Sequence, residues 1–158
     1  VAIAATFVGG GLVEVALAPR IGGISDRHGR LYPIRIGLVL VALVALGFAI
    51  VTAAPAIVIL VAGASLAASA IYAPGIALVS DRAEANGVLQ TLAFGLMNTA
   101  WAVGAMTGPA AGGALADAVG DPAPYVICAV IALLTLLLLD RSVHEPRPAH
   151  ESPSVSVP

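Results

Sequence analysis

Long apolar runs separated by short polar breaks set the pattern of the chain up to about residue 140. No charged residue occurs between Arg35 and Asp81, between Glu84 and Asp117, or between Asp121 and Asp140. Runs of ~20 apolar residues match the ~30 Å hydrocarbon core of a bilayer at a rise of ~1.5 Å per residue. The pattern predicts five spanning helices, at about 1–18, 34–51, 56–79, 87–116 and 125–139. Pro19 and Arg20 stop the first. The break "TAAP" ends the second and puts Pro55 in the first turn of the third, where its missing N–H costs nothing. The fourth is longer than a bilayer needs, so part of it is expected to protrude, tilt or bend near Pro109.

Composition agrees with this pattern. Hydrophobic residues make up 59% and charged residues 10%, against roughly 25% charged in soluble domains. The fold class is therefore an all-α membrane protein, with residues 1–140 as a transmembrane helical bundle. Residues 141–158 turn polar and proline-rich, and read as a disordered tail. "ALA" at 16–18 resembles a signal-peptide cleavage site, but there is no basic n-region and Glu14 interrupts the apolar stretch. The start inside an apolar run, without Met, reads as that of a fragment. Cys128, the single cysteine, permits no internal disulfide and is expected to be a small buried hydrophobe.

Charge fixes an expected orientation. All seven basic residues are arginines, and all flank the first, third and fifth spans on their C-terminal sides. The loops after the second and fourth spans hold only Asp117 and Asp121. The positive-inside rule then makes loops 20–33 and 80–87 and the tail cytoplasmic, in an inner or plasma membrane.

Four ionisable residues, Asp26, Arg27, His28 and Arg30, crowd into "GGISDRHGR", residues 22–30. Gly22 and Gly29 allow positive φ or close backbone approach. Asp26 and Arg30 are one helical turn apart and able to pair. Ordinary positive-inside charge is the plainer reading. The order Gly22-x-x-x-Asp26-Arg27-x-Gly29-Arg30, however, resembles the signature loop of the major facilitator superfamily, G-x-L-A-D-R-x-G-R-K-x-x-L. That loop joins helices two and three and recurs more weakly between helices eight and nine. Here Leu31 stands where a second basic residue is common.

A second stretch, "GAMTGPAAGG" at 104–113, is similar to the G-x-x-x-G-P-x-x-G-G element of that family's drug:proton antiporters. Gly104, Gly108 and Gly112 recur every four residues and clear one stripe of the helix for a neighbour. Pro109 removes a backbone hydrogen bond, and Gly113 completes the element. A packing groove and a direct substrate role both fit. The third span lacks the arginine of the family's R-x-x-Q-G pattern in helix four. The resemblance therefore implies helices eight to twelve rather than two to six, five of the six helices in one half. The antiporter-like element, usual in helix five, argues the other way.

Within the spans, Glu14 is the one carboxylate. It is either solvated and paired with an arginine near the inner surface or a proton carrier. On the fourth span Gln90, Thr91, Phe94, Asn98, Trp101 and Gly108 fall within an arc of ~100°. Asn and Trp within a bilayer need polar partners or a water-filled cavity, so Gln90, Phe94, Asn98 and Trp101 are candidate cavity-lining residues. Interhelical hydrogen bonding is the alternative.

No catalytic motif, cofactor fingerprint or metal-ligand spacing occurs, so an enzyme, a cofactor and a nucleic-acid partner are not expected. The expected partners are the bilayer, the rest of a transporter chain including its N-terminal half, and a small organic solute, with protons as a coupling ion. The function implied is alternating-access transport, with proton-coupled efflux ahead of uptake. A non-transporting scaffold of the same fold is the competing class.

Overall fold

The computed structural model describes residues 11, 15, 23 and 27–142. Most of the expected first span and tail, and the candidates Glu14, Gly22 and Asp26, lie outside the described residues. Four helices are described: α1 (Leu31–Ile50), α2 (Ala54–Ala85), α3 (Gln90–Val119) and α4 (Pro122–Ser142).

Their ends follow local chemistry. Gly29, at φ 87°, turns the chain into α1, a conformation that side chains with a Cβ rarely adopt. α1 stops at Val51, whose N–H donates to the Gly47 carbonyl at 2.9 Å before the backbone becomes extended. Pro55 sits in the first turn of α2, as expected. Asn86 Nδ2 donates to the Arg82 carbonyl at 2.8 Å, and Gly87, at φ 64°, reverses the chain after α2. Gly120, at φ 113°, separates α3 from α4, which opens on Pro122.

Several boundaries differ from expectation: α1 begins at Leu31 and α4 at Pro122, each three residues early, and α3 is displaced by three residues to end at Val119, which puts Asp117 in the helix. The loop expected at 80–87 is helical through Ala85, and α4 continues past residue 140 to Ser142. Charged residues mark where the apolar run ends, not where the hydrogen-bonded helix ends, because a helix continues readily out of the bilayer. α1, α2 and α4 are long and apolar enough to cross a membrane. α3 is long enough at 30 residues, but its Gln90, Asn98, threonines and glycines leave it less apolar than the other three.

α1 is central and packs extensively on α2 and α4, whereas α3 touches α2 and α4 only lightly. The core joins Ile34, Leu38, Ala42 and Ala45 of α1 to Ala129 and Ala132 of α4, with Ile71 and Leu78 of α2 against it. Small residues allow the close approach. A Cβ on Gly37 would lie 2.6 Å from Ile71 Cγ1 and 3.2 Å from the Ala67 carbonyl. Further along, Gly63 lies against Val44, and Gly47 against Leu60, so α1 and α2 run antiparallel. Phe48 stacks on Tyr125 at 5.5 Å between centroids, and Arg35 pairs with Asp140, so α1 and α4 are antiparallel too.

Four hydroxyls within the helices are satisfied locally. Ser65, Thr99, Thr107 and Thr135 each donate to the carbonyl four residues back, at 2.8 to 3.2 Å. Cys128 is exposed, contrary to expectation. An apolar run signals an apolar environment, and does not say whether the neighbouring helices of the bundle supply it.

Candidate functional site

Two groups of residues stand out: a charged cluster at one end of the bundle, and a cleft between α2 and α3. The antiparallel pairing brings the start of α1 beside the ends of α2 and α4. Arg30 Nε donates to Asp81 Oδ2 at 3.4 Å, and Arg35 Nε lies 2.8 Å from Asp140 Oδ1. Arg82 and Arg141 occupy the last turns of α2 and α4, where a cation suits the negative helix end. Five arginines of the described residues therefore gather at one end, and Asp117 and Asp121 lie near the other. His28 stacks on Tyr32 at 5.2 Å and steadies the entry into α1.

Arg30 of the charged loop thus reaches across the fold to α2, while Asp26, its expected partner within the loop, lies outside the described residues. Both ion pairs are about half exposed, with side-chain exposures from 35% to 57%. Pairs of this exposure contribute ~0–1 kcal/mol each. That is small enough for the pairs to break and re-form as helices shift.

The cleft between α2 and α3 has a volume of about 240 Å³, below the ~300–1,000 Å³ of a complete ligand site. Asn98 and Trp101 both line it, joined by Met97 from α3 and by Ile71, Tyr72 and Ile76 from α2. Gln90 is exposed and Phe94 half-buried, and neither lines the cleft. Trp101 is 68% exposed and Tyr72 57%, so two large amphipathic rings stand open beside one carboxamide. Among the described residues, none that lines the cleft is a carboxylate or a basic group.

Sequence reasoning missed Tyr72. Its signal was available: a phenol in an otherwise apolar span, two residues before Pro74, which lies inside α2 and is buried.

Not one residue of α3 is buried. A Cβ added at Gly95, Gly104, Gly108, Gly112 or Gly113 would meet nothing within 4 Å. The small-residue stripe expected to receive a helix faces open space among the described residues. α3 remains helical through Pro109.

Comparison with known proteins agrees with this architecture. The chain matches the Major Facilitator Superfamily over residues 1–157. It is 36% identical over 132 residues to the class C tetracycline resistance protein of Escherichia coli. The match covers 80% of this chain and 31% of that relative, so the chain spans less than a third of the relative's length. No solved structure matches the chain. Three helices able to cross a bilayer, the glycine-marked charged loop and a match along nearly the whole length lead to one conclusion: the chain belongs to the Major Facilitator Superfamily, and is an integral membrane protein.

Proposed function

We propose that this chain forms part of a secondary active transporter that moves a small organic solute by alternating access. The observation that carries the reading is the α2–α3 cleft, where Tyr72, Asn98 and Trp101 open onto a surface left uncovered by the described helices. A transporter of this family works by rocking two halves around a site near the bilayer midplane. A helix that lines such a cavity need not be apolar all round, which accounts for the composition of α3.

In this reading five helices cross the membrane, 1–18 and α3 included, and correspond to helices eight to twelve. The partner is the remainder of the transporter. The arginine-rich end faces the cytoplasm at the plasma membrane, together with loops 20–33 and 80–87 and the tail. The segment from Gly22 to Arg30 acts as a cytoplasmic latch, made and broken as the halves alternate, through Asp26, Arg27 and Arg30.

The similarity to a tetracycline resistance protein supports efflux of a planar organic solute. Proton coupling then needs a carboxylate. Residues 36–80 and 90–116 contain no acidic or basic side chain, which leaves Glu14 or the opposing half to carry the proton. The test is direct binding of tetracycline to the complete transporter, with and without Trp101→Ala. About tenfold weaker binding by a folded variant supports the site, and unchanged binding overturns it.

A further inference from the structure

α1 sorts its residues between two environments. Gly37, Ala42, Ala45 and Gly47 turn towards α2 and α4. Its other side exposes Tyr32, Ile36, Val39, Leu43, Leu46 and Ile50, in alternating steps of four and three residues, a continuous helical stripe. Along this stripe an open groove of about 470 Å³ runs between α1 and α4, lined by Ile36, Val39, Leu40, Leu43 and Leu136. Arg35 and Asp140, themselves ion-paired at 2.8 Å, line the same groove at its charged end.

The lining selects the occupant. Helices approach each other in membranes through small residues, and every groove residue outside the ion pair is branched and bulky. A hydrocarbon chain suits that surface better than a helix. From Arg35 to Leu43 the groove follows about 12 Å of helix rise, enough for the upper part of an acyl chain. Arg35 lies in the second turn of α1 and Asp140 in the last turn of α4, so the pair sits where these spans meet the headgroups.

The pair also presents both signs of charge. The guanidinium engages Asp140 through Nε and carries four further N–H donors, and the carboxylate retains acceptor capacity. A purely anionic headgroup gains Arg35 but meets Asp140. A headgroup with a phosphate and a primary ammonium complements both. We propose that the α1–α4 groove is a binding site for one zwitterionic aminophospholipid, its acyl chain along Val39 and Leu43, its phosphate on Arg35 and its ammonium on Asp140. The proposal rests on α1 and α4 spanning the membrane and is independent of the transport reading.

The experiment is native mass spectrometry of the complete chain, delipidated and then exposed separately to phosphatidylethanolamine, phosphatidylcholine and phosphatidylglycerol. The expected result is one phosphatidylethanolamine retained in preference to the other two, with retention about tenfold weaker in Arg35→Gln. Equal retention of all three lipids, or full retention by a folded Arg35→Gln protein, would overturn the site. Should Arg35→Gln fail to fold, Val39→Trp fills the groove while leaving both charges in place. Loss of the retained lipid in that variant supports the proposal, and undiminished retention overturns it.

Discussion

Arg30 Nε meets Asp81 Oδ2 at 3.4 Å across a sequence separation of 51 residues, so the loop before α1 is tied to the last turns of α2. A half-exposed pair contributes ~0–1 kcal/mol. It can bias one conformation without locking it. Asp81→Asn is expected to lower transport turnover by up to about fivefold, with substrate affinity changed by no more than a few-fold, and Asp26→Asn is expected to act in the same direction. Paired binding and turnover measurements check this. A large loss of affinity with turnover intact would make the cluster a binding site instead.

Trp101 is expected to contribute to solute binding and little to folding, because two thirds of it is exposed. Trp101→Ala and Tyr72→Ala should each weaken binding of a planar aromatic solute by roughly tenfold, with thermal stability in detergent close to wild type. Intact binding together with a lowered melting temperature would identify the face as structural packing.

Gly37 should be the least replaceable of the glycines within the described helices. Its added Cβ would crowd Ile71, the Ala67 carbonyl and Ala70 together. Overpacking of this kind costs about 1–3 kcal/mol. Gly37→Ala should therefore lower the melting temperature measurably, in contrast to Cys128→Ala on the exposed side of α4. Equal stability of the two variants would contradict the close α1–α2 contact.

Sidedness is testable in a Cys128→Ala background. Cysteines placed at Arg27 and at Val119 should label from opposite faces of the membrane, since they belong to opposite ends of the bundle. Labelling of both from one face would contradict the proposed topology.

Much of the fold was legible because its signals are local. Pro55, Gly29 and the long uncharged runs each act within one turn or one span, and the helices fall close to where those features predict them. What escaped depends on which way an apolar residue faces. Hydrophobicity alone does not distinguish a side chain against protein from one against lipid, which is why Cys128 was misread as buried. The Arg35–Asp140 pair escaped for a related reason: its partners lie on different helices at opposite ends of the sequence, and only the antiparallel packing of α1 and α4 joins them. For the cleft, helical periodicity put Asn98 and Trp101 on one arc, and both line it. It also grouped Gln90 and Phe94 with them, because an angular arc says nothing about how far along α3 the neighbouring helix makes contact.

Solute counterflow with the complete transporter in proteoliposomes tests the central claim most directly. Vesicles preloaded with an unlabelled planar aromatic solute should take up the labelled solute transiently above equilibrium, because alternating access couples outward and inward exchange through one site. Trp101→Ala should reduce that uptake at subsaturating solute. A protein that binds the solute but shows no counterflow, at any concentration and with or without a proton gradient, would contradict transport and leave a membrane scaffold of the same fold.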